Sequence, residues 1–130
     1  MRHLTLQPEE FIPIQANGVY RDRLDALSMS GEKPIPPVET VEHSDGYLLL
    51  DGNHRVYYFM LQGREVNTRV LETDEDVRPS KAISLIGCNS LTDIIKKYKD
   101  IWKPLCEERG VKSIRDYRVQ KPIRESRYQL

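Results

Sequence analysis

The five consecutive residues Asp51-Gly52-Asn53-His54-Arg55 put a carboxylate, a glycine, an amide, an imidazole and a guanidinium side by side. An amide side chain donates through its NH2 group. An imidazole donates or relays a proton, and a guanidinium grips two oxygens of a phosphate at once. Glycine lets the backbone approach an anion closely. Asp51 can orient His54 or Arg55, or take a water of a bound Mg2+. Such a set suits a phosphate ester, provided that the chain turns so that the groups converge. The bland alternative uses the same letters, since Asp-Gly is a common turn and His-Arg a solvated helix start.

The flanking residues must supply that turn. Tyr47-Leu48-Leu49-Leu50 is apolar on both faces, as a central strand is. After the box, Val56 to Leu61 is rich in β-branched and aromatic residues, which with Asp51-Gly52 spells a hairpin. Against this, Val56, Phe59, Met60 and Gly63 fall at helical spacing, with Gly63 where a helix would stop. These residues leave hairpin and helix both open. Val66, Thr68 and Val70 then alternate as a strand, so a helix here would give a βαβ unit.

Upstream, residues 3 to 15 read as a short strand and an extended segment broken by Pro8 and Pro13, and residues 20 to 29 as a helix with Leu24 and Leu27 on its apolar stripe. Pro34-Ile35-Pro36-Pro37 is stiff and leads into a strand over 38–42, and Ser44-Asp45-Gly46 is a turn. Downstream, Asp74-Glu75-Asp76 reads as an acidic break. Ser90 and Asp93 mark a helix start, followed by the stripe Leu91, Ile94, Ile95, Tyr98, Ile101 and Trp102. Pro104 is expected to kink or end that helix, and residues 111 to 118 to add one more helical turn.

A length of 130 residues suits one domain. The 20 basic and 20 acidic residues cancel, so no global field draws nucleic acid or a membrane. From Lys112 to Leu130, six basic residues face only Asp116 and Glu125, and Tyr117 and Tyr128 are interleaved with them. Contact with a nucleic-acid backbone is one reading of that tail; a solvated, mobile segment is the other. Cys88 and Cys106 stand apart from any Cys/His cluster and are expected to be reduced core thiols. No apolar run approaches the ~20 residues of a membrane span. The chain is expected to be cytoplasmic.

The order of these features in 34–72 resembles the ParB/sulfiredoxin-like superfamily: a proline-rich lead into a strand, a turn, an apolar strand ending in an acidic-Gly-x-His-Arg box, a helix, Gly63 and a strand. Weaker similarity reaches back to Leu4. The resemblance implies the helix rather than the hairpin, and an α+β (mixed α/β) fold with a small mixed sheet and packed helices. It implies a core over 1–73, a helical extension over 74–118 on the same domain, and a basic tail over 119–130.

In that superfamily the box binds nucleotide phosphates, so Gly52, Asn53, His54 and Arg55 are the expected phosphate contacts. Asp51 and His54 are the catalytic candidates, with Asp51 also the metal candidate. ATP, ADP or CTP with Mg2+ is the implied cofactor. Arg55→Ala is expected to weaken anion binding and leave the fold intact. Asn53 stands where sulfiredoxins have a cysteine, so sulfinic-acid repair is not expected. Small-molecule kinases of the superfamily use a carboxylate near the first strand as base, which makes Glu9 and Glu10 candidates here. Arg21 and Arg23 are candidates for reaching the phosphates from across the cleft. The expected activity is nucleotide-dependent phosphoryl transfer or hydrolysis. The alternatives are a non-catalytic module that senses a nucleotide or contacts DNA, and a ParB-like nuclease.

Overall fold

The computed structural model describes residues 1–31 and 33–121. Its architecture is α+β, with one five-stranded mixed sheet and helices on both faces. The strands are β1 (Arg2–Leu6), β2 (Phe11–Ile12), β4 (Val38–His43), β5 (Gly46–Asp51) and β6 (Val66–Val70), in the order β1-β6-β4-β5-β2. A second, two-stranded parallel ladder joins β3 (Val19–Tyr20) to β7 (Val119–Gln120). The sheet separates two cores because side chains alternate along each strand. On β5, Leu49 joins Val38, Val56, Phe59 and Leu24 on one face, under α1 (Arg21–Met29) and α2 (Asn53–Leu61). Leu48 and Leu50 join Leu71, Val77, Ile94 and Trp102 on the other. Leu48, Leu49 and Leu50 are all buried, as a strand covered on both faces requires.

Residues 53–61 are helical, so the chain leaves β5 and winds at once. Val56 and Phe59, one turn apart, are the helix's buried residues. The expected βαβ unit is not formed. β5 runs antiparallel to β4 and β4 parallel to β6, so β5 and β6 point in opposite directions with β4 between them.

Further expectations change. The acidic break is a one-turn helix, α3 (Asp74–Val77), because Thr73 and Asp76 cap it reciprocally. Ser90 caps α4 (Leu91–Lys97) as expected, its Oγ accepting from the Asp93 amide at 3.1 Å. Pro104, however, does not end the helical run. A π-helical turn over Tyr98–Trp102 passes straight into α5 (Lys103–Glu108), with the proline, which has no N–H to donate, as its second residue. The expected turn in 111–118 is a 3-10 turn at Ile114–Asp116. The expected tail begins with two residues in a strand, β7, while 122–130 lie outside the described residues. Among the described residues, no helix is long and apolar enough to cross a membrane.

Candidate functional site

Gly52 makes the turn from β5 into α2. Its φ of 111° lies in the region that L side chains rarely adopt. A Cβ there would also meet the Val38 side chain, 2.8 Å from its Cβ and closer still to Cγ1. Only glycine fits both demands. The first helical bond runs from the Val56 amide to the Gly52 carbonyl at 3.0 Å. The amides of Asn53, His54 and Arg55 precede it, at the positive end of the helix dipole.

These residues line a cleft of about 760 Å³. The loop carrying Gln15, Asn17 and Gly18 forms one wall, and Tyr20, Arg23 and Leu27 continue it. Ile14, Leu50, Ile83 and Trp102 make the lining partly apolar. The Gln15 side chain braces its own loop, accepting from the amides of Asn17 (2.6 Å) and Gly18 (3.2 Å) and donating to the Gly18 carbonyl (2.9 Å). Ser84 ties the opposite lip to the strand end by donating to the Leu50 carbonyl at 2.7 Å.

Within the box the side chains divide by duty. Arg55 is largely committed: Nη1 donates to the carbonyls of Pro36 and Pro37, both at 2.9 Å, and Nη2 to Asp51 Oδ2 at 3.0 Å. Its guanidinium therefore pins the proline segment to the turn, and it is not the open phosphate fork that the motif implies. Loss of this residue is therefore expected to cost stability, where the sequence alone suggested an intact fold. His54 Nε2 accepts from the Tyr20 amide at 2.9 Å, and the two rings stack with centroids 6.1 Å apart. A nitrogen that accepts carries no proton, so the neutral ring holds its proton on Nδ1. Burial, then the charge of Arg23, lowers the His54 pKa and favours that neutral form. Asn53 Oδ1 accepts from the Tyr117 hydroxyl at 2.6 Å. Asp51 stays half exposed, with one oxygen on Arg55.

Of the outlying candidates, the structure brings only Arg23 to the cleft; Arg21 is exposed at the helix start and does not line it. Glu9 and Glu10 lie at the wrong end. The chain following them pairs Phe11 with Tyr47, at the beginning of β5, whereas Asp51 ends it. Four residues of strand put about 13 Å between the two positions. Glu10 instead caps its own turn by accepting from the Gln7 amide at 2.7 Å. Among the described residues, no three His, Cys, Asp or Glu side chains gather as a metal-binding group. Asp51 would hold Mg2+ only as one carboxylate beside phosphate oxygens and waters.

Sequence reasoning missed Tyr20 and Tyr117 as partners of the box. In the sequence Tyr117 is an aromatic interleaved with basic residues; in the structure it is buried, and burial raises the pKa of its hydroxyl. No local pattern signals either contact, because the partners lie 34 and 64 residues from His54 and Asn53. Comparison with protein-family models, with curated proteins and with solved structures finds no match to this chain.

Proposed function

We propose that this domain binds a nucleotide or another phosphate ester, with the phosphate on the first turn of α2. The observation that carries the reading is the opening of a helix N-terminus, turned by a glycine that no other residue can replace, on a cleft of about 760 Å³. Amides at such an end, with the dipole behind them, attract anions. The volume suits a nucleotide-sized ligand, and a partly apolar lining is what such ligands bury against. Arg23 adds a cation across the cleft, and among the described residues it has no ion-pair partner. The box's likeness to the ParB/sulfiredoxin-like superfamily points the same way, toward ATP, ADP or CTP.

Phosphoryl transfer or hydrolysis is a second reading, favoured by the Asp51 carboxylate at the cleft with one oxygen unengaged. His54 would serve less directly, since its Nε2 is taken by the backbone. Titration calorimetry with ATP, ADP, CTP and inorganic phosphate tests the binding claim. Trp102, the sole tryptophan, lines the cleft and gives an independent fluorescence signal. Binding without turnover would leave a sensing module. Phosphate release would establish hydrolysis, conversion of ATP to ADP without it phosphoryl transfer to an acceptor, and cleavage of a labelled oligonucleotide the nuclease. No binding of any of these ligands would overturn the proposal.

A further inference from the structure

We infer that Tyr117 is a positioning residue of the phosphate site, deciding which end of the Asn53 side chain the ligand meets. The inference rests on the phosphate-binding reading above, and it concerns a residue well outside the box.

An asparagine side chain has an accepting end and a donating end. The Tyr117 hydroxyl donates to Asn53 Oδ1 at 2.6 Å, so the accepting end is occupied and the NH2 remains. Tyr117 is buried and its hydroxyl stays protonated, so it keeps a proton to donate to Asn53 near neutral pH. The NH2 is then the end of Asn53 that no internal bond engages, at a residue that lines the cleft. That suits a group whose oxygens only accept, such as phosphate, and disfavours one that must itself donate.

The placement of Tyr117 is itself firmly held. The turn before it is capped reciprocally by Ser113 and Asp116. The carbonyl after it, on Arg118, accepts from the Val19 amide at 2.8 Å, and β7 then pairs with β3. Gly18 packs so tightly on Arg118 that a Cβ would overlap its carbonyl. Tyr20, on β3, in turn donates to His54. One short segment near the end of the described chain thus reaches two box residues, one directly and one through Tyr20.

The test compares four chains: the unsubstituted protein, Tyr117→Phe, Asn53→Ala and the double variant. Each is titrated with inorganic phosphate and with ADP, and its melting temperature is recorded. Tyr117→Phe is expected to weaken phosphate binding by about three- to tenfold, the loss of one oriented hydrogen bond. The double variant should bind no more weakly than Asn53→Ala alone, because Tyr117 acts through Asn53. Unchanged binding by Tyr117→Phe, or losses that simply add, would overturn the inference; additive loss is what general loosening produces. Should Tyr117→Phe fail to fold, Asn53→Asp tests the step through Asn53 that the inference requires. The Tyr117 hydroxyl can donate to the carboxylate, the end facing the cleft becomes an acceptor, and phosphate binding should disappear; retained binding overturns the inference. No binding by the unsubstituted protein removes the phosphate-site reading and this one together. Binding by it that Tyr117→Phe retains removes this one alone.

Discussion

At the hairpin end of β5, Asp45 Oδ2 accepts from the Tyr98 hydroxyl at 2.8 Å and from Lys103 Nζ at 3.0 Å, with His43 Nδ1 3.7 Å away. At the other end, Asp51, Asn53, His54 and Arg55 are also cross-linked, but around a helix start. The hairpin cluster closes on one carboxylate beside a cavity of about 150 Å³, and its donors are used in strapping the π turn and α5 to the sheet. The box borders about 760 Å³ and retains three helix-start amides, the Asn53 NH2 and the Arg23 guanidinium. A dense polar cluster is thus no sign of a site in itself. What separates the two ends is the donors left over after the internal bonds are counted.

Gly52→Ala should give the largest effect. It forces an L residue to φ 111° and drives a methyl into Val38. A loss of about 2–4 kcal/mol is expected in urea unfolding, from strain plus overpacking. The comparable change at the hairpin, Gly46→Ala, meets the mobile end of Ile12 as well as the Glu10 carbonyl and should cost less.

Next is Arg55→Ala, which removes bonds to Pro36, Pro37 and Asp51 from a mostly buried side chain. It should lower stability by about 1–3 kcal/mol, measured by urea unfolding. A variant as stable as the parent would return Arg55 to the role of free phosphate ligand.

The smallest effect belongs to the closed cluster. Hydrogen bonds from Lys103, then Tyr98, hold the Asp45 pKa below its ordinary value. A depressed carboxylate pKa stabilises the fold above the unfolded pKa of about 3.9, and that contribution is lost as pH falls through the folded value. Asp45→Asn should therefore melt slightly lower than the parent at neutral pH, with the gap narrowing below about pH 4. Phosphate affinity should not change. A change would show that the π turn transmits strain to Trp102 and the cleft.

How much of this was legible in the sequence depends on how local each feature is. Leu48 to Leu50 announced a strand buried on both faces, and Ser90 with Asp93 announced a helix start, because strand burial and capping are written within a few residues. The helix at 53–61 was only half legible: Val56, Phe59 and Met60 keep helical spacing, yet Asp51-Gly52 before aromatic residues is also a hairpin signature. The positive φ of Gly52 serves a helix entry here. The duties of Arg55 and Asn53 were not legible at all, since carbonyls 18 and 19 residues upstream and a hydroxyl 64 residues downstream decide them. The same holds for Glu9 and Glu10, whose distance from the box follows from the register of β2 on β5.

The most direct test of the central claim is an amide NMR titration with inorganic phosphate and then ADP. The backbone resonances of Asn53, His54 and Arg55 should move together and saturate, while those of Ser44 to Tyr47 at the opposite end of β5 stay still. Stationary box amides at saturating ligand, or shifts confined to the hairpin end, would contradict the account.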